Sequence, residues 1–80
     1  MTAVQVHYFA ILREQARLAE ESLDTGAGTA AELYEELKAR HGFRLGREQL
    51  RVAVNGAFAP WDHALVPGDR VVFIPPVAGG

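Results

Sequence analysis

The sequence of 80 residues contains no cysteine. This absence excludes disulfides, zinc knuckles, iron–sulfur clusters, thiolate nucleophiles and side-chain persulfides. Ser22 is the only serine and has no paired base nearby in the sequence, so a serine nucleophile is also disfavoured. Any sulfur or acyl chemistry must therefore use a group other than a cysteine or serine side chain.

Charge and hydropathy exclude several classes of partner. The net charge is −2 and Lys38 is the only lysine, so the clustered basic excess that nucleic-acid binding needs is missing. The sequence also lacks a leader pattern and any apolar run near the ~18 residues of a membrane span. Its three histidines are far apart and lack metal-ligand spacing. We expect a cytoplasmic protein with no nucleic-acid partner, no membrane contact, no metal and no intrinsically bound cofactor.

Hydrophobic periodicity predicts strands separated by two helices. The predicted strands are residues 2–9, 20–24, 50–54, 57–59 and 70–74, and the predicted helices are residues 10–18 and 29–41. Thr29 and Glu32 form a capping-box pattern, and Gly42 is placed to end the longer helix. Asn55-Gly56 predicts a hairpin turn, and residues 66–69 (VPGD) predict another turn. Residues 71–74 of the last strand are apolar on both faces, so this strand should be central or should have one face covered by a partner.

This order of elements predicts an α+β domain of the β-grasp, or ubiquitin-like, kind. We expect a mixed sheet of four to five strands with one main helix, and a short helix after the first strand. The predicted domain spans residues 1–75, and residues 76–80 form an extended tail that ends in Gly79-Gly80. A ferredoxin-like alternative would need a second long helix near residues 43–50, which Gly42 and Gly46 disfavour.

Two other motifs are better explained as structure than as chemistry. Residues 26–31 (GAGTAA) match a dinucleotide fingerprint weakly, but the preceding strand is short and polar and the chain is too small for such a sheet. Asp62 and His63 are adjacent, so in an extended segment their side chains point to opposite faces. A loop before a helix cap and a surface turn are the favoured interpretations.

The C-terminus is the remaining candidate for chemistry. Pro75-Pro76 stiffens the base of the tail, because proline fixes φ and lacks a backbone donor. Gly79 and Gly80 have no side chains and can thread a narrow channel in another protein. The terminal carboxylate is ionised at neutral pH and can attack the α-phosphate of ATP on a partner enzyme. A sulfur nucleophile would convert the acyl-adenylate to a thiocarboxylate, so this end could carry sulfur covalently.

Four blocks of sequence carry a resemblance to a known family. They are residues 6–14 (VHYFAILRE), 29–33 (TAAEL), 53–56 (AVNG) and 65–80 (LVPGDRVVFIPPVAGG). Together they resemble the MoaD family, the ubiquitin-like small subunits, or sulfur carriers, of molybdopterin synthase. The first and last blocks separate this family from the thiamine-pathway carriers, which are shorter and lack the first helix. The departures are mild: Val66-Pro67 replaces an acidic or polar residue of many members, and Arg70 replaces a common Glu.

The resemblance implies a carrier that is not catalytic alone. A MoeB-like, E1-type activating enzyme would use ATP to adenylate the Gly80 carboxylate and then thiocarboxylate it. A MoaE-like large subunit, expected in a heterotetramer, would receive the tail and supply the catalytic side chains. The sulfur would pass to cyclic pyranopterin monophosphate in molybdenum cofactor biosynthesis.

Strand alternation also predicts a partner surface. If Val4, Val6, Tyr8 and Phe73 face the main helix, apolar side chains on the first and last strands face the other way, and an exposed apolar patch often marks an interface. The residues expected at this interface are Phe9, Arg13 at its rim, Phe58, Val72 and Ile74, with Pro75, Pro76 and Val77 at the base of the tail.

Two alternative functions remain open at the level of sequence. Activation of a C-terminal carboxylate would equally serve a ubiquitin-like module that is conjugated to a target lysine. The carrier could also donate sulfur to another pathway, such as tRNA thiolation.

Overall fold

The computed structural model describes residues 1–76, and the predicted α+β, β-grasp arrangement is confirmed within them. The elements in chain order are β1 (Thr2–Tyr8), α1 (Ala10–Ala16), β2 (Glu20–Thr25), α2 (Ala30–His41), β3 (Arg51–Val54), β4 (Ala57–Ala59) and β5 (Arg70–Ile74). A short 3₁₀ helix at Arg47–Gln49 precedes β3. Val77, Gly79 and Gly80 lie outside the described residues, so the expectations placed on them stay predictions.

The strands form one mixed sheet in the order β2-β1-β5-β3-β4. β1 and β5 are parallel, and the other neighbouring strands are antiparallel. The predicted central position of β5 is confirmed, because it pairs with β1 on one side and β3 on the other. Strand alternation turns Val71 and Phe73 inward, where both are fully buried.

One hydrophobic core lies between the inner face of this sheet and helix α2. Phe73 contacts Tyr34 edge to face at 5.1 Å between ring centroids, and it stacks on Trp61 at 6.0 Å. The largest buried side chains of the core are Tyr8, Leu12, Leu33, Tyr34, Leu37 and Phe73. The inner face of β5 is therefore anchored, while its outer face is left for other contacts.

The ends of α2 confirm the predicted caps. The Glu32 amide donates to Thr29 Oγ1 at 3.2 Å, and the Thr29 amide donates to Glu32 Oε1 at 3.1 Å. Gly42 is left-handed, with φ 73°, and its amide donates to the Lys38 carbonyl at 2.9 Å. The loop before β5 adds contacts that the sequence did not predict, because the Ala30 amide donates to the carbonyl of His63 at 3.1 Å.

Five predicted boundaries differ from the structure by one or two residues. Three of them are shifts of one residue: β2 ends at Thr25, α2 begins at Ala30 and β3 begins at Arg51. β1 ends at Tyr8 rather than Phe9, because the Phe9 carbonyl already accepts from the Leu12 amide at 3.1 Å and begins α1. α1 ends at Ala16 rather than residue 18, because Arg17 adopts a left-handed conformation with φ 61°. The short helix consequently reverses the chain tightly between β1 and β2.

Candidate functional site

The outer face of the sheet carries an apolar surface beside the C-terminal end of β5. We call this surface the tail-side face and define it by Phe9, Ala53, Phe58, Val72 and Ile74. The strand register places Val72 opposite Ala53 and Ala53 opposite Phe58, so these side chains lie in one row across three strands. Phe58 is 68% exposed and Phe9 is 52% exposed. The predicted outward orientation of these apolar residues therefore agrees with the strand geometry.

Phe58 is presented by the hairpin between β3 and β4. Asn55 and Gly56 have φ values of 52° and 87°, the two left-handed positions that a type I′ turn requires. The twist of this turn sets β4 against β3 and directs Phe58 outward. The Arg51 guanidinium carbon lies 5.6 Å from the centroid of the Phe58 ring, a cation–π contact. Sequence reasoning missed Arg51, although the alternation of β3 around buried Val52 and Val54 could have placed it on this face.

A groove of about 380 Å³ lies where β5 ends. Its lining comprises Glu48, Gln49, Leu50, Arg51, Phe58, Ile74, Pro75 and Pro76. The structure thus brings together four of the predicted interface residues at the base of the tail. Pro75 differs from its predicted role, because it is buried within the chain and offers little surface to a partner, whereas Pro76 is exposed.

The other predicted residues, Phe9 and Arg13, lie outside this groove. Phe9 retains an extended backbone, with φ −126° and ψ 153°, so its side chain continues the outward alternation of β1. Arg13 is exposed on α1 and lines a separate groove with Glu14 and Arg17. It is not brought into the groove that contains Phe58.

Asp69 fixes the start of β5 relative to the hairpin. Its Oδ2 accepts from the Val66 amide at 3.0 Å, and its Oδ1 accepts from Asn55 Nδ2 at 2.9 Å. Asn55 completes the connection, because its Oδ1 accepts from the Arg70 amide at 2.9 Å. The Val66 hydrogen bond lowers the pKa of Asp69, with help from the Asn55 hydrogen bond and from His63, whose Nε2 lies 3.8 Å from Asp69 Oδ2, although burial opposes the shift. Asp69 is therefore held ionised, and it ties two turns to the strand that leads into the tail.

His7 is a second polar side chain on the outer face that sequence reasoning missed. It lies opposite Glu20 in β2 and beside Val72 in β5. Its Nδ1 is 3.3 Å from Glu20 Oε2, whereas its Nε2 is buried and makes no hydrogen bond within residues 1–76. His7 borders the tail-side face without belonging to its apolar row.

The remaining polar clusters serve the fold rather than a reaction. Burial raises the pKa of the Tyr8 hydroxyl, and the nearby Glu21 carboxylate adds to the shift. Glu21 Oε2 also lies 3.0 Å from Nε2 of His41, at the end of α2. Across residues 1–76, no three acidic or histidine side chains are grouped to hold a metal ion. The helices in this range are too short and polar to cross a membrane.

The comparisons with known proteins agree in sequence and in fold. A family model described as the ThiS family matches residues 6–80. The molybdopterin synthase sulfur carrier subunit of Escherichia coli is 32% identical over an alignment 80 residues long. The alignment covers 96% of this chain and 99% of that protein. A Pyrococcus furiosus protein named as subunit 1 of molybdopterin converting factor has a TM-score of 0.79 and 36% identity, covering 96% of this chain and all of its own.

Two further solved structures share the fold. Small archaeal modifier protein 1 of Haloferax volcanii has a TM-score of 0.80 and 26% identity, covering 98% of this chain and 99% of that chain. A complex of subunits 1 and 2 of molybdopterin-converting factor from Helicobacter pylori contains a chain with a TM-score of 0.68 and 22% identity, covering 99% of this chain and all of that chain. The family match and the Escherichia coli relative show that the chain belongs to the ThiS family, as a ubiquitin-like sulfur carrier of the MoaD type.

Proposed function

We propose that this chain is the sulfur-carrier subunit of a molybdopterin synthase. Its Gly80 carboxylate is adenylated and thiocarboxylated by an E1-like enzyme of the MoeB type. The thiocarboxylate then donates its sulfur to cyclic pyranopterin monophosphate in the active site of a MoaE-like large subunit. The two subunits assemble as a heterotetramer in the cytoplasm, and the isolated chain has no catalytic activity.

The observation that carries this proposal is the position of β5, the central strand that leads into the C-terminal tail. β5 is held on both sides by neighbouring strands and leads directly into Pro75 and Pro76. Four residues then separate Pro76 from the terminal carboxylate, and four residues span at most roughly 14 Å. Chain length therefore keeps the carboxylate within that distance of Pro76, which lines the groove next to the tail-side face. A protein bound to that face is well placed to receive the tail.

The chemistry assigned to Gly80 balances through two displacements. The carboxylate attacks the α-phosphate of ATP, which forms an acyl-adenylate and releases pyrophosphate. A hydrosulfide ion supplied by the sulfur donor then attacks the acyl carbon, the bond between that carbon and the phosphate oxygen breaks, AMP leaves, and the S–H proton is lost to solvent. The product is a thiocarboxylate in which sulfur has replaced one oxygen. Because the chain has no cysteine, no thiol of its own can divert the acyl group.

A large-subunit partner is supported by the surface beside the tail. The tail-side face presents two exposed phenylalanines and the half-buried side chains of Val72 and Ile74. Burial of such side chains contributes roughly 25 cal/mol for each Å² of apolar surface removed from water. The Helicobacter pylori complex shows that a chain of similar fold is found with subunit 2 of its converting factor.

Intact-mass spectrometry after activation tests the proposal. The chain is incubated with the MoeB-type enzyme of its own organism, ATP and a sulfur donor. We expect a mass gain that equals the replacement of one oxygen by one sulfur at Gly80. A variant that lacks Gly80 should gain nothing while melting at nearly the same temperature, because the sheet, the helices and the core are formed by residues 1–76. No gain by the wild-type chain with an active enzyme would contradict the proposal.

Conjugation to proteins is a second candidate, favoured by the likeness to small archaeal modifier protein 1. The activated carboxylate would then react with a target lysine and release AMP, giving an isopeptide bond. Immunoblots of lysate should in that case show high-mass adducts that contain this chain and disappear when Gly80 is deleted. Donation of sulfur to tRNA thiolation would instead leave the thiocarboxylate intact until a tRNA-modifying enzyme is added.

A further inference from the structure

Two arginines bracket the row of apolar side chains on the outer sheet face. Arg70 begins β5 and points to the same side as Val72 and Ile74, because the side chains of a strand alternate between faces. Arg51 begins β3 and lies directly opposite Ile74 in the register. With about 3.3 Å per residue along β5 and about 5 Å between strands, the Cα atoms of the two arginines lie about 14 Å apart.

Neither arginine is neutralised by a neighbour within residues 1–76. The ion pairs of arginines within residues 1–76 join Arg40 to Glu21 and Glu36, and Arg47 to Glu35. Glu48 lines the same groove as Arg51 but forms no ion pair with it. Both arginines are exposed, so their charges are directed to solvent beside an apolar surface.

Arg51 also makes a cation–π contact on this face. Its guanidinium carbon lies 5.6 Å from the centroid of the exposed Phe58 ring. A planar guanidinium that rests on an aromatic ring keeps its N–H groups free at the edge, where they match the two oxygens of a carboxylate. This arrangement reduces the side-chain entropy that a salt bridge with a partner would otherwise cost.

We propose that Arg51 and Arg70 select the protein partner of the tail-side face by pairing with two carboxylates on it. This inference rests on the proposed function and specifies the surface that its partner presents: an apolar patch with an acidic side chain at each end, about 14 Å apart. A second copy of this chain fits less well, since a two-fold arrangement on this face would bring arginine against arginine.

Charge reversal at both positions tests the inference. The variants are Arg51→Glu, Arg70→Glu and the double variant. Arg44→Glu is the matched control, because Arg44 is exposed in the loop after α2 and its side chain makes no ion pair within residues 1–76. The probes are the MoaE-type large subunit and the MoeB-type activating enzyme of the same organism, titrated calorimetrically at about 50 and 300 mM NaCl.

We expect the double variant to bind at least one of the two probes at least tenfold more weakly than the wild type at low salt, with a smaller loss at high salt. Arg51→Lys should recover part of the affinity because it restores the charge, and Arg44→Glu should stay within twofold. Equal affinity of the double variant and the wild type for both probes would overturn the inference while leaving the proposed function intact. Salt-sensitive self-association through this face, without salt-sensitive partner binding, would overturn it as well.

The wild-type chain separates the two possible failures. If it binds neither probe and also gains no sulfur in the mass assay, both the inference and the proposed function are contradicted. If it gains sulfur and binds, but binding does not respond to the arginines, only the inference fails. Unchanged melting temperatures of the variants exclude unfolding as the cause of a lost affinity.

Discussion

Asp69 shows how a single residue aligns the strand that carries the tail. Its carboxylate joins the Val66 amide and the Asn55 side chain, which belong to turns 11 residues apart in the sequence. Buried charged groups of this kind are stable only when their hydrogen bonds are complete. The VPGD turn and the Asn-Gly hairpin were each predictable from local turn chemistry. Their connection was not, because no local pattern reports a hydrogen bond between distant side chains.

The Asp69→Asn variant should unfold more easily at neutral pH. In the variant, an NH₂ group would replace one carboxylate oxygen and would lie opposite another donor, either the Val66 amide or Asn55 Nδ2. One hydrogen bond would be lost, so we expect a loss of about 1–3 kcal/mol in the free energy of unfolding. The folded pKa of Asp69 is lowered by the Val66 hydrogen bond, so its stabilisation is present above the unfolded pKa of about 3.9. It is lost as pH falls through the lower folded pKa.

Urea denaturation from pH 7 down to acid measures this difference, with Asp62→Asn as the control. Asp62 is exposed in the turn after β4, and it therefore offers the same substitution without the buried contacts. The difference in the free energy of unfolding between the wild type and Asp69→Asn should become smaller as the pH falls. A deficit that is absent at pH 7, or that is unchanged across the titration, would contradict the role assigned to Asp69.

At the scale of elements, one face of the sheet packs on the core and the other leaves apolar side chains exposed. Alternation in β5 made this division predictable, because residues 71–74 put apolar side chains on both faces of a central strand and only the inner face packs on the core. The sequence alone did not allow us to predict the burial of Pro75 or the cation–π contact between Arg51 and Phe58. Both depend on how β3 and β4 are placed beside the end of β5.

Phe58→Ser should weaken partner binding without loss of the fold. Phe58 is 68% exposed, so its removal takes little from the core, but it removes the largest apolar side chain of the β4 hairpin from the tail-side face. A central aromatic contact commonly costs about 2 kcal/mol or more on truncation, which is roughly a 30-fold loss of affinity for the large subunit. Val66→Ser is the matched control, because Val66 is 54% exposed and lies off this face. Equal losses from the two variants in the same calorimetric titration would argue against the tail-side face as the interface.

At the scale of the whole molecule, the chain contains no cysteine and its proposed chemistry belongs to the C-terminal carboxylate. Residues 1–76 provide a rigid sheet, a central strand and a surface for a partner, whereas the sulfur chemistry is assigned to Gly80. The family and the fold followed from blocks that span nearly the whole sequence. The partner's catalytic groups could not follow from it, because they belong to another chain.

Sulfur transfer in a single turnover tests the central claim most directly. The thiocarboxylated chain is mixed with its MoaE-type large subunit and cyclic pyranopterin monophosphate, and its intact mass is followed over time. The account predicts that the mass returns to that of the carboxylate form as the dithiolene appears, that two carrier chains lose sulfur for each dithiolene formed, and that neither change occurs without the large subunit. A chain that keeps its sulfur in the presence of an active large subunit and its substrate would contradict the account.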